Sequence, residues 1–87
     1  MVVKREDVAR KLDDYLHQRL TLSELVNWAE EAMQEGDFDE PDFEMLRDIV
    51  SRLGLADVRA FGLTWEDCSN YLSRLGYSVN VEVLPSH

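Results

Sequence analysis

The sequence predicts a mainly α fold, a four-helix domain with a short C-terminal strand, formed as one domain over residues 1–87. Three observations predict it. Apolar residues recur at helical spacing in four windows. Capping residues and glycines punctuate those windows. The tail instead alternates apolar and polar residues, which is the period of a strand.

The first helix is expected from about Lys4 to Leu20. Val8, Ala9, Leu12, Tyr15, Leu16 and Leu20 share one arc, with Arg10, Asp13, Asp14, His17 and Gln18 opposite. Arg19 intrudes on the apolar arc, where it can snorkel or meet an acid of the neighbouring helix. Almost no linker separates the first helix from the second, so the two are expected to lie as antiparallel neighbours.

The second helix has the best-marked ends. Thr21 is a natural N-cap, and Glu24 three residues on completes a capping box. Leu20 and Leu25 are spaced as a hydrophobic staple. Leu22, Leu25, Val26, Trp28, Ala29, Ala32 and Met33 fill an arc of roughly 160° at about 100° per residue. Such an arc is first of all a core face, and Trp28 lies at its edge. Gly36 is expected to end the helix in the left-handed conformation.

The third helix is expected to begin near Asp39 or Glu40, because Pro41 suits a first turn. Phe43, Leu46, Ile49, Val50 and Leu53 form its core face, with Met45 at the margin. Gly54 ends it, and Leu55 is placed to fold back onto Val50. Leu55 to Leu63 reads equally as a helical turn closed by Gly62 or as a short strand. The fourth helix opens on Thr64, with Asp67 as the acid of a second box. It carries Trp65, Cys68, Tyr71, Leu72 and Leu75 on one face and stops at Gly76. Tyr77, Val79, Val81 and Val83 then alternate with Ser78, Asn80 and Glu82 as a strand. A lone strand needs a partner. That partner is either Val58–Leu63, giving a small strand–helix–strand ending, or a second chain, which leaves a homodimer through Tyr77–Val83 open.

The 18 acids and nine bases give a net charge of −9, and the distribution is uneven. No Lys or Arg lies between Arg19 and Arg47, while that window holds Glu24, Glu30, Glu31, Glu35, Asp37, Asp39, Glu40, Asp42 and Glu44. The residues before it carry one net positive charge and those after it one net negative charge, so this one segment accounts for the whole imbalance. Glu40, Asp42 and Glu44 suit the positive end of the third helix, whereas Glu30, Glu31 and Glu35 approach the negative end of the second. The segment reads either as a solvated face that aids solubility or as a surface for a basic protein. On the second reading the partner-binding residues are Glu30, Glu31, Glu35, Asp37, Asp39, Glu40, Asp42 and Glu44, with Trp28 and Phe38 as apolar contacts. A pI near 4.5 argues against nucleic acid or an anionic membrane as direct partners.

Catalytic and metal chemistry find little support. Asp37 to Asp42 superficially resembles a calcium loop, but Asp42 stands where the sharp turn needs glycine. Cys68 is the only cysteine, so no internal disulfide forms, and a reducing cytoplasmic setting is expected. It reads as a buried small residue. His17 follows Asp13 by four residues, as a solvated helix pair. There is no phosphate-binding glycine loop and no nucleophile elbow. Neither a signal peptide nor a membrane-spanning run is expected. The expectation is a non-enzymatic protein without cofactor or metal.

A leader helix followed by Leu20-Thr21 and Glu24-Leu25 opening a second helix, in an acidic chain of this size, resembles the colicin-type bacterial immunity proteins. The nearest are those that guard against tRNA-cleaving colicins such as colicin D. The likeness covers Val8 to Met33, under a third of the chain. It implies a helical inhibitor whose acids, here those of Glu30 to Glu44, imitate RNA phosphates in a basic nuclease site. The Tyr77–Val83 strand departs from a purely helical plan. The alternative is a structural or homo-oligomerising helical domain. A small enzyme acting through acids would require a pocket that raises a carboxylate pKa.

Overall fold

The computed structural model describes residues 2–40, 42–58 and 62–77. Among them the chain forms β1 (Val2–Val3), α1 (Arg5–Leu16), α2 (Leu22–Glu35), β2 (Asp37–Phe38), α3 (Phe43–Leu53) and α4 (Trp65–Arg74). It is a mainly α domain with a minimal parallel sheet. The expected strand falls on residues 78–87 beyond Tyr77 and lies outside the described residues.

α1 begins where Lys4 donates its backbone N–H to the Asp7 carboxylate at 2.9 Å, with acid at the positive end of the helix. It stops at Leu16, short of the expected Leu20. Gln18 has φ +62°, its N–H donates to the Tyr15 carbonyl at 3.1 Å, and the Arg19 N–H donates to that of Asp14 at 2.8 Å. These are the two bonds of a Schellman ending. Arg19 and Asp14 occupy the positions that usually make its apolar contact, and they form an ion pair at 3.2 Å instead. Arg19 therefore lies beyond the helix and pairs back onto Asp13 and Asp14 of α1, not with α2. His17 to Thr21 form a true connection.

α2 has the cap that was expected. The Glu24 N–H donates to the Thr21 hydroxyl at 3.1 Å, and the Thr21 N–H donates to the Glu24 carboxylate at 3.0 Å. Gly36 closes the helix for a different reason from the one expected. Its φ of −83° and ψ of 144° are extended, so no left-handed turn is needed. A Cβ there would stand 2.5 Å from the Ala32 carbonyl oxygen and 3.0 Å from Val3 Cγ2. Glycine is required chiefly because the last turn of α2 leaves no room beside the Ala32 carbonyl, and Val3 of β1 crowds the same place.

The chain then enters β2 instead of starting the third helix. Val2 pairs with Asp37 and Val3 with Phe38 in parallel register, and the Asp39 N–H donates to the Val3 carbonyl at 2.9 Å. α3 begins at Phe43, later than the expected Asp39 or Glu40. Pro41 lies outside the described residues.

The core joins Val8 and Leu12 of α1, Leu25, Ala29 and Ala32 of α2, Leu46, Ile49, Val50 and Leu53 of α3, and Cys68, Leu72 and Leu75 around α4. Val3 plugs it from β1. α2 packs most extensively on α3, and α1 touches all three other helices. Phe43 and Trp65, expected in the core, are 43% and 45% exposed. Each is the first residue of its helix, where no preceding turn covers it. Leu55 is 44% exposed and does not bury itself against α3. Leu55 to Val58 continue as turns, with N–H to carbonyl bonds from Leu55 to Arg52 and from Ala56 to Leu53. Residues 59–61 lie outside the described residues. α4 is capped as expected, with the Asp67 N–H donating to the Thr64 hydroxyl and the Thr64 N–H to the Asp67 carboxylate, both at 3.0 Å. Gly76, at φ +92°, ends it with the Tyr77 N–H donating to the Leu72 carbonyl.

Candidate protein-binding face

The acidic segment becomes the end of α2, the strand β2, a turn and the head of α3. Glu30, Glu31, Glu35, Asp37, Glu40 and Glu44 are exposed, and Asp39 is partly so. The turn is closed by the Asp42 N–H donating to the Asp39 carbonyl at 3.1 Å. Asp37 pairs with the exposed Val2 in the sheet. Glu30 differs in position from the rest. A Cβ at Gly54 would lie 3.8 Å from Glu30 Cγ, so Glu30 sits beside the far end of α3.

Asp42 separates from the other acids by its partner. Arg5 donates to both of its oxygens, Nε and the second guanidinium nitrogen each at 2.7 Å. The bidentate bond holds the Asp42 carboxyl below its ordinary range and raises Arg5. The Asp42 side chain is only 19% exposed, and it is tied to Arg5 where a helix cap would otherwise be expected. Its role is structural: it clasps the start of α1 to the head of α3.

Three other described arginines are paired elsewhere. Arg19 pairs with Asp13 and Asp14, while Arg52 and Arg74 converge on Asp48 at 3.2 and 2.9 Å. Both bonds lower the Asp48 carboxyl. Among the described residues, Glu30, Glu31, Glu35, Asp37, Asp39, Glu40 and Glu44 form no ion pair. Nor do any three acids, histidines or thiols among them converge closely enough to hold a metal ion.

The apolar residues split. Phe38 is half-buried and meets Phe43 edge-on, with ring centres 6.0 Å apart and planes at 83°. Phe38 therefore belongs to the acidic turn, and Phe43 joins it although its helical spacing pointed to the core. Trp28 does not join them. Lys11 Nζ stands 5.7 Å from its ring centre, so the indole is used between α1 and α2. Arg5 was also missed as a member of the face. No local signal could reveal it, because its partner lies 37 positions along the chain.

An open groove of about 460 Å³ lies elsewhere, walled by Tyr15, Leu16, Leu20, Leu63 and Trp65, with Gln18 and Thr21 at its rim. No carboxylate, histidine or thiol lines it. Cys68 is fully buried, and burial pushes its thiol up to about 11. His17 is exposed with Nδ1 3.1 Å from the Asp13 carboxylate, the helix pair its spacing suggested. No described helix is long and apolar enough to cross a membrane. No protein-family model matches the chain, and comparisons with characterised proteins and with solved structures return no match either.

Proposed function

We propose that this chain is a non-enzymatic module that binds a protein through a basic surface on that partner. One observation carries the reading: seven carboxylates between Glu30 and Glu44 have no ion pair among the described residues, while Asp42 in their midst is clasped by Arg5. Unrelieved like charge costs stability, and a cationic partner relieves it. The field of these acids steers such a partner, and side chains near the turn then dock. The sharpest form of this proposal is an immunity-type inhibitor, whose acids stand where nucleic-acid phosphates would in a basic nuclease. A cytoplasmic setting suits a free, buried thiol.

The test is stopped-flow association with a panel of cationic ribonuclease and deoxyribonuclease domains, scored also for inhibition of cleavage. Wild-type chain should capture at least one domain at a rate that falls steeply with salt. A variant with Glu31→Gln, Glu35→Gln, Asp39→Asn and Glu44→Gln should associate on the order of tenfold more slowly at low salt. Asp42 is left intact because it holds the fold. Equal rates for the two proteins would reduce the face to a solubility device, and capture of no domain would defeat the basic-partner reading. Light-scattering mass at two concentrations separates the rival. A dimer that persists on dilution would favour a homo-oligomerising domain.

A further inference from the structure

We propose that the outer edge of β1 takes this chain's own segment Ser78–Val83 as an antiparallel third strand. The proposal stands apart from the basic-partner reading.

The first observation is an edge with one side in use. The Val3 carbonyl accepts from the Asp39 N–H at 2.9 Å, in the parallel register that sets Val3 against Phe38. Successive residues of a strand turn their backbone groups to opposite sides, so the N–H and carbonyl of Val2 point away from β2. Among the described residues nothing bonds to them. Such an edge is a template for another strand. The side chains alternate as well: Val3 is buried in the core and Val2 is exposed.

The second observation is where the chain leaves α4. A Cβ on Gly76 would stand 3.4 Å from Arg5 Nη1, and Leu75 shares the core with Val3, two residues before Arg5. The turn after α4 therefore delivers the chain to the β1 end of α1. A strand that enters beside Arg5 and passes Val3 and then Val2 runs against β1, which makes the pairing antiparallel. The sequence beyond the turn suits this edge. Tyr77, Val79, Val81 and Val83 alternate with Ser78, Asn80 and Glu82. With the valines on the face of Val3 they extend the core, and the polar residues share the solvent face of Val2. A slip of one residue would reverse both faces, so burial selects this arrangement.

The third observation decides between partners for that segment. The internal alternative, Val58–Leu63, ends at the far end of α4, where Leu63 and Trp65 border the groove with Tyr15 and Leu16. The ten residues of α4 span about 15 Å. An extended chain at about 3.3 Å per residue needs four or five residues to run back that far, which consumes most of the alternating segment before pairing begins. A second copy would compete with a strand tethered beside the edge, whose effective concentration is on the order of millimolar. A segment engaged in this way is not free to join two copies.

Nuclear magnetic resonance of the full chain labelled with nitrogen-15 and carbon-13 tests this. Hα–Hα contacts should join β1 to Ser78–Val83, and the Val2 amide should exchange about tenfold or more slowly than an unstructured one. In a mixture of labelled and unlabelled chains, those contacts should be absent between copies. A variant with Val79→Lys and Val81→Lys should return the Val2 amide to free exchange, while the amides of Leu25 and Ile49 stay protected and show that the helices still pack. Contacts from Ser78–Val83 to Val58–Leu63, contacts only between copies, or no contact to β1 would each overturn the proposal. So would Val2 protection that survives both lysines. Should the lysine pair unfold the helices, the wild-type contacts decide alone.

Discussion

Gln18 holds a backbone conformation, φ +62°, that an L-residue adopts at a cost of about 1–2 kcal/mol and glycine adopts freely. The Schellman bonds need that conformation whatever the side chain. Gln18→Gly should therefore stabilise the chain by about 0.5–1 kcal/mol after glycine's greater freedom in the unfolded state is charged against it. Urea unfolding with an unchanged slope measures this, and a loss of stability would show that the Gln18 side chain supports the groove it borders. Asp48 makes the opposite kind of contribution, through charge. Hydrogen bonds from Arg74 and then Arg52 lower its carboxyl in the folded chain. The folded state then binds fewer protons than the unfolded one, whose aspartate titrates near its ordinary value of about 3.9. The stabilisation is complete above that value and is lost as pH falls through the lower, folded one. Asp48→Asn should flatten the fall of melting temperature below about pH 4 and leave the shape of the profile near neutrality unchanged. An equally steep acid limb in the variant would assign the loss to other carboxylates.

At the scale of elements, what could be read from the sequence is what is encoded within four or five residues. The caps of α2 and α4 are of this kind, since Thr21 with Glu24 and Thr64 with Asp67 close on themselves. Thr21→Ala and Thr64→Ala should each cost about 1 kcal/mol in chemical unfolding, while Ser23→Ala on the exposed side of α2 should fall within about 0.5 kcal/mol of wild type. One element escaped because its cause is distant. Asp37-Phe38-Asp39 does alternate, but a strand that short is defined only by pairing with Val2 and Val3, 35 positions away. Gly36 was recognisable as a stop, and its tightest constraint, the Ala32 carbonyl oxygen four residues back, is local; only the added crowding by Val3 is distant. The end of α1 was missed for the converse reason: the left-handed residue is a glutamine, so the usual glycine signal is absent. The candidate face was legible in its acids, because charge is countable. It was not legible in Phe43, whose spacing matches the core but whose place at the first turn leaves it uncovered, nor in the Arg5 clasp.

Over the whole molecule, the proposed function sets partner binding against stability through the same charges. The net charge of −9 resides in one segment, and within it only Asp42 is paired among the described residues. The ion pairs that do form are largely exposed, and exposed pairs contribute little, about 0–1 kcal/mol each. Salt should therefore weaken more repulsion than attraction. At about 0.1 M the screening length is near 10 Å, comparable with the spacing along a helix end and a turn. Melting temperature should rise between roughly 10 and 200 mM sodium chloride, where a fold held by surface pairs would lose stability. The variant with Glu31, Glu35, Asp39 and Glu44 neutralised should be more stable than wild type at low salt and nearly indifferent to added salt. The same variant is expected to associate slowly with cationic partners, so gain in one measurement and loss in the other should appear together. A variant that is both less stable and slower would mean that these carboxylates make contacts of their own. Their effect on binding could then be structural. Only the paired outcome, stability up and association down, identifies them as charge held unrelieved for a partner.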